Sequence, residues 1–204
     1  AIVKQHPTVV YVVLGATHPH VRAEHGESYR LSLEILAQEL VVADNIIFHN
    51  RFVSDEELTE FLAAADICIT PYLRPDQITS GALAYAVGAG KAVISTPYRY
   101  ATELLADNRG KLVPWRDAQA IGDAVNALLG NDAERRALGA RAGAMGREMR
   151  WPAVARRYFG SFVRAHGDHT EHKRTAFVAK TLAERPAGLP ELNDYIIGGL
   201  IAQC

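Results

Sequence analysis

PYLRPDQITSGALAYAVGAGKAVIST, residues 71–96, leaves a strand, crosses a polar loop, enters a helix rich in small residues and returns to a strand. The helix opens on Thr79-Ser80-Gly81-Ala82, and the second strand is Ala92–Ser95 (AVIS). Short, β-branched, continuously apolar runs suit parallel strands buried on both faces. Similar runs occur at Val9–Leu14 (VVYVVL), Ile46–His49, Ile67–Thr70 (ICIT) and Lys111–Val113. Between them Ser28–Leu40, the capping box Ser54/Glu57 with its Leu58-Phe61-Leu62-Ala65 stripe, and Ala82–Ala89 predict helices. Strand and helix therefore alternate from residue 9 to 113, which predicts a doubly wound α/β sheet of Rossmann-like type.

After Pro114 the pattern becomes helical, over Asp117–Leu129, Asp132–Met149 and Trp151–Ala165. Beyond it come a polar run (HGDHTEHKR, 166–174), a Pro/Gly-rich stretch (184–194) and a short apolar end. A boundary is expected near 165, with residues 1–165 as one α/β domain. Residues 166–204 read as a helical or irregular tail, or the start of another segment.

The 204 residues are 49% apolar and 22% charged, with 22 Lys and Arg against 23 Asp and Glu. Such composition excludes disorder and coiled coil, and it lacks the basic surface of a nucleic-acid binder. No apolar run approaches the roughly 20 residues of a membrane span. Cys68 and Cys204 make neither a disulfide framework nor a metal-ligand spacing, so a reducing, cytoplasmic setting is expected. The chain opens on Ala1, in what reads as a helix end (AIVKQHP), without an initiator Met, so a fragment is expected.

Ligands of open parallel sheets bind beyond the carboxyl ends of the strands. That selects the loops Gly15–Glu27, Asn50–Ser54, Pro71–Ser80 and Thr96–Thr102, and the turn after Val113. At Thr79–Ala82 small residues expose the amides of a helix start, which favours a phosphate or diphosphate. The competing reading is an ordinary Ser/Thr cap, with Gly81 and Gly88 serving tight packing of helix on sheet. The stretch is neither a dinucleotide fingerprint nor a Walker loop. His18, His20 and His25 resemble a metal set only loosely and are read as a loop near the crevice, so no metal is expected. His18 and His25 remain candidates for contacts to a sugar or acceptor. Arg74 and Arg99 are either phosphate partners or solvated loop arginines. Tyr72, Tyr98 and Tyr100 either line a sugar pocket or anchor their loops. Glu134-Arg135-Arg136 is an exposed helix face, and no hydrolase elbow or zincin motif is present.

The series AADICITPY (64–72), SGALAYAVGAGKAVIST (80–96), ATELL (101–105), RGKLV (109–113) and Trp151 resembles the C-terminal half of glycosyltransferase family 4, the group 1, retaining GT-B transferases. SGALAYA and TPYRYATELL are similar to a bacterial subgroup concerned with polysaccharides. The resemblance spans residues 1–165. It implies a nucleotide-diphospho-sugar as donor substrate, no required cofactor, and a carbohydrate or lipid-linked acceptor. The acceptor would bind mainly to a separate N-terminal domain, absent here, to which a closing helix commonly crosses back. By residue, it implies that the amides at Thr79, Ser80, Gly81 and Ala82 hold the donor phosphates and approach the sugar. Arg51 and Phe52 would meet the nucleobase, and Glu103 matches an acidic position following the donor loop, with an N-cap or structural role as the competing reading. The family's Glu-x7-Glu pair, one carboxylate for the sugar and one for the ribose, falls here on Gln77 and Tyr85. Gln77 retains hydrogen-bonding capacity toward a sugar, and Tyr85 offers a hydroxyl on the ribose side. The family's basic pair for the leaving diphosphate follows a strand that would precede Ala1. Rival readings are a non-catalytic nucleotide-sugar-binding or interaction module, and an epimerase or hydrolase of the same architecture.

Overall fold

The computed structural model describes residues 1–183, so Cys204, the Pro/Gly-rich stretch and the apolar end lie outside the described residues. The described chain divides into a compact unit, Ala1–Arg150, and a second unit that begins at Trp151.

The first unit contains α1 (Ile2–Gln5), β1 (Tyr11–Leu14), α2 (Pro19–His25), α3 (Ser28–Glu39), β2 (Ile46–His49), α4 (Asp55–Ala64), β3 (Ile67–Thr70) and α5 (Gly81–Gly88). It continues with β4 (Ala92–Ser95), α6 (Arg99–Leu104), β5 (Lys111–Leu112), α7 (Ala118–Leu129) and α8 (Asp132–Glu148). All strand pairs are parallel, as the apolar runs predict. The expected single sheet is instead two sheets, β1-β2 and β3-β4-β5. β1 and β3 are each hydrogen-bonded on one side only among the described residues.

Strand β4 is central and covered on both faces. Val93 faces one core cluster with Leu83, Val87, Tyr98, Leu104 and Ala142, and Ala92 and Ile94 face another with Val113, Val125, Leu128 and Leu138. Double cover is why every residue of AVIS is buried. Full burial of each large side chain stabilises the fold by about 1.5–3 kcal/mol.

Helix α5 ends in a Schellman motif: the Gly90 N–H bonds to the Val87 carbonyl and the Lys91 N–H to that of Ala86. Gly90 takes φ +68°, which glycine adopts without cost. Gly88 and Gly90 meet Gly139, Gly143 and Gly146 of α8, where a Cβ added at Gly146 would lie 2.7 Å from the Gly88 Cα. The packing expected of Gly88 is therefore helix on helix rather than helix on sheet. A Cβ added at Gly81 meets nothing within 4 Å, so that glycine serves no packing contact.

The histidine segment corrects the loop expected there. His18 caps α2 by accepting the His20 N–H on Nδ1 at 3.3 Å, and Pro19 takes the first helical position, where its missing N–H costs nothing. In the second unit, α9 (Trp151–Ala183) runs unbroken through residue 165, where a boundary was expected. The polar run 166–174 is helical because nothing in it breaks a helix except Gly167, which is tolerated in the interior. No helix among the described residues is long and apolar enough to cross a membrane.

Candidate functional site

The carboxyl ends of all five strands carry loops, and two hollows open beside them. One, of about 770 Å³, is lined by Ala16, Thr17, His18, Arg22 and Phe52 after β1 and β2. The other, of about 200 Å³, is lined by Pro71, Leu73, Thr96, Arg116 and Asp117 after β3, β4 and β5.

Ser80 is buried and caps α5, its Oγ accepting the Leu83 N–H at 3.2 Å. The first intrahelical bond is made by the Ala84 N–H to the Ser80 carbonyl. The amides of Gly81 and Ala82 precede it and point past the helix end, at residues that are exposed. Cap and anion-site readings thus coexist on one helix start, because the cap uses one amide and leaves two.

Beneath it lies a hydroxyl network. Thr70 Oγ1 donates to Ser95 Oγ at 2.9 Å, Thr96 Oγ1 to the Tyr72 carbonyl at 2.5 Å, and Tyr98 Oη to Thr70 Oγ1 at 3.4 Å. Tyr98, a candidate sugar contact by sequence, is 0% exposed and packs on Tyr72 with ring centroids 5.2 Å apart. It anchors the loop and is not available to a ligand in this structure. Its hydroxyl has a buried partner, which allows the whole ring to be buried.

Gln77 is half-buried and its side chain is occupied locally: Nε2 donates to the Thr79 carbonyl at 3.0 Å. Arg74 and Arg99 are exposed and make long ion pairs, with Asp76 at 3.6 Å and Glu103 at 3.8 Å. Such pairs contribute little to stability. Glu103 therefore lies one turn along α6 from Arg99 and caps no helix. His25 sits in the last turn of α2, away from the cap that His18 forms. Among the described residues no group of three His, Cys, Asp or Glu could hold a metal.

Arg51 is bound twice to Glu57, Nη1 at 3.0 Å and Nη2 at 2.5 Å. Glu57 also completes the capping box with Ser54. The Arg51 bond, then the Ser54 amide, holds the Glu57 carboxyl down to about 2. Arg51 is thus a brace for its loop, while Phe52 beside it is 88% exposed and forms part of the larger hollow. Tyr85 projects from α5 toward α4, where its Oη donates to Asp55 Oδ1 at 3.2 Å. The Asp55 charge raises the Tyr85 pKa.

Three features escaped the sequence reading. Glu27 accepts Thr17 Oγ1 at 2.8 Å and Arg30 Nε at 3.0 Å and pairs with Arg22, bracing the wall of the larger hollow. The Thr17 bond, then that of Arg30, lowers its pKa. Arg116, on the smaller hollow, takes φ +56°. Asp55 reaches Tyr85 across 30 residues, a pairing that no local spacing announces.

Residues 1–131 match the family model described as glycosyl transferases group 1. Among curated proteins none matches. Among solved structures, sucrose-phosphate synthase from Thermosynechococcus elongatus is 22% identical with a TM-score of 0.64, over 77% of this chain and 38% of that one. HepE from Anabaena, solved with UDP-glucose, is 15% identical with a TM-score of 0.66, over 80% and 44%. The C-terminal domain of the group 1 glycosyl transferase LpcC from Francisella tularensis is 21% identical with a TM-score of 0.60, over 70% of each chain. At these identities the structures share the fold, and this chain spans less than half the length of the first two. A family model covering well over half the residues, on a parallel α/β scaffold of the same kind, places this chain in the group 1 glycosyl transferases.

Proposed function

We propose that this chain is the donor-binding half of a retaining GT-B glycosyltransferase. It would hold a nucleotide-diphospho-sugar, the kind of molecule bound in the HepE structure, while a sugar passes to an acceptor hydroxyl. The observation that carries the reading is the start of α5. There Ser80 satisfies one amide, two further amides face outward, and open space lies over Gly81. A diphosphate gains hydrogen bonds and the favourable end of the helix dipole there, most of all as negative charge grows on the leaving group. The hydroxyl network fixes the strand ends below, so the amides need not reorganise as that charge develops.

In this reading Phe52 and the backbone of Arg51–Phe52 meet the nucleobase, since the Arg51 guanidinium is committed to Glu57. Tyr85 faces the ribose. Gln77 and Thr79 lie toward the sugar, with His18, His25, Arg74, Arg99 and Glu103 on surrounding loops and helix ends. Acceptor binding, to a carbohydrate or lipid-linked hydroxyl, falls to a further domain. In this reading backbone amides meet the donor phosphates.

A second reading, a module that binds the nucleotide-sugar without transferring it, is favoured by one observation. Neither Gln77 nor Tyr85 provides a carboxylate, and the Gln77 amide is already bonded to its own loop. Calorimetric titration with UDP-, GDP- and ADP-sugars tests the shared part. Binding of one of them is expected, and silence with all three at millimolar concentration defeats both readings. Transfer to an acceptor by a full-length protein then separates enzyme from module.

A further inference from the structure

Four aromatic side chains of α9 stand in solvent: Trp151 is 83% exposed, Tyr158 61%, Phe159 70% and Phe162 68%. They share one side of the helix. At about 100° per residue, Trp151, Tyr158 and Phe162 fall within about 40° of one another, with Phe159 beside them. The Tyr158 and Phe162 rings stack with centroids 6.2 Å apart. The same line continues through His166, His169, Lys173 and Lys180, all exposed. Asp168 and Glu171, the acids of the helix, stand about a third of a turn or more away from it. One face is thus aromatic for its first turns and cationic for the rest, with no carboxylate on it. The near-neutral charge of the whole chain hides this local excess, since residues 151–167 hold three arginines and no acid.

We propose that α9 docks on an anionic phospholipid surface and lies in the plane of the interface. The helix is not apolar enough to cross a bilayer, whereas an aromatic face backed by arginines suits one lying on it. Trp151 and Tyr158 enter the boundary between headgroups and acyl chains, where a ring with a polar edge is most at home, and Phe159 and Phe162 go in beside them. Lys173 and Lys180, farther along the same face, meet lipid phosphates at the ends of their flexible stems. A protein groove would have to change from apolar to acidic where the face changes, at residue 166. A bilayer offers both chemistries along its whole length, because phosphates lie everywhere above the acyl chains. This surface is independent of the donor site, and it is where a lipid-linked acceptor would reside.

The test sediments the 204-residue chain with vesicles of phosphatidylglycerol and phosphatidylcholine in equal parts, and with phosphatidylcholine alone. Binding to the mixed vesicles is expected to be about tenfold tighter or more, and to weaken in about 1 M salt. Lys173→Gln and Lys180→Gln should each weaken it about fivefold. Phe159→Ala with Phe162→Ala should weaken it about tenfold or more through lost apolar burial. Alanine is the best helix former, so that loss is not one of helix, and circular dichroism equal to the parent's checks each variant. Residues 195–204 are also apolar in sequence, so the place of contact is read from Trp151 fluorescence. A blue shift is expected with the mixed vesicles, and it should vanish in Trp151→Phe. Absence of binding, equal binding to both vesicles, full binding by the double phenylalanine variant, or sedimentation without a Trp151 shift overturns the proposal. So does a chain that is dimeric until the phenylalanines are replaced, which would give the face to a second copy.

Discussion

Residues 1–69 and residues 70–149 use the same strand–helix alternation, yet they differ sharply in what covers their strands. In the first stretch Ala37 alone is buried, and Tyr11 (46%) and Ile47 (51%) remain exposed on β1 and β2. On α3, Tyr29, Leu31, Ile35 and Leu36 are exposed too. In the second stretch β4 is buried at every residue, and α5, α7 and α8 close over it. A β-branched run is thus a necessary sign of a buried parallel strand but does not supply the cover. The features proposed to face the ligand divide the same way. The amide site stands on the packed stretch, while the larger hollow opens from the exposed one.

Truncating the two stretches should separate them most clearly. Ile94→Ala is expected to cost about 2–5 kcal/mol in urea unfolding, since it leaves a cavity in a closed core. Ile35→Ala on exposed α3 should change stability by no more than about 0.5 kcal/mol. Equal losses at both positions would erase the contrast.

The next largest effect lies in binding. Gly81→Leu should weaken nucleotide-sugar binding by about 1–3 kcal/mol, through steric exclusion and lost amide bonds. Because a Cβ at Gly81 meets nothing, the melting temperature should barely move. A large fall in melting temperature would make Gly81 a packing residue after all. Removing the cap by Ser80→Ala should cost about 1 kcal/mol of stability, measured the same way.

The smallest effect concerns pH and the loosely covered stretch. Glu57 is held at about 2 against an ordinary 4.5, so the stability it contributes is present above 4.5 and fades as pH falls toward 2. A Glu57→Gln variant should therefore show a shallower decline of the urea midpoint across that interval. The difference should shrink in high salt, as expected for an exposed pair. A decline as steep as the parent's would move the acid sensitivity to another group.

How much was legible in the sequence follows the same division. β2, β3 and β4 begin and end where their apolar runs do, and the Ser54/Glu57 box is present. β1 is shorter than VVYVVL because its partner runs out. Tyr11 pairs with Ile46, before which the chain turns, and Asn45 Nδ2 bonds the Val9 carbonyl there instead. The split into two sheets was not legible, since a hydrophobic run does not record which neighbour it will bond. α2 was missed because histidines masked a Pro at the first helical position, and the full length of α9 because a polar run looks alike in a tail and on an exposed helix. At the site, the Ser80 start was readable from small residues in order. The burial of Tyr98 and the reach of Tyr85 to Asp55 were not, since both depend on residues 28 and 30 positions away.

The glycine seam between α5 and α8 bears on how the site is held. Main chain rests on main chain there, so no rotamer can yield and α5 behaves as a strut of fixed depth. A methyl group introduced at Gly146, against the far end of that strut, must shift α5 or α8, and a shift of α5 moves its N-terminus too. A lesion there would be felt as misplaced amides some 10 Å away, about the length of α5. On the proposed reading, the accuracy of the anion cradle is set from its opposite end.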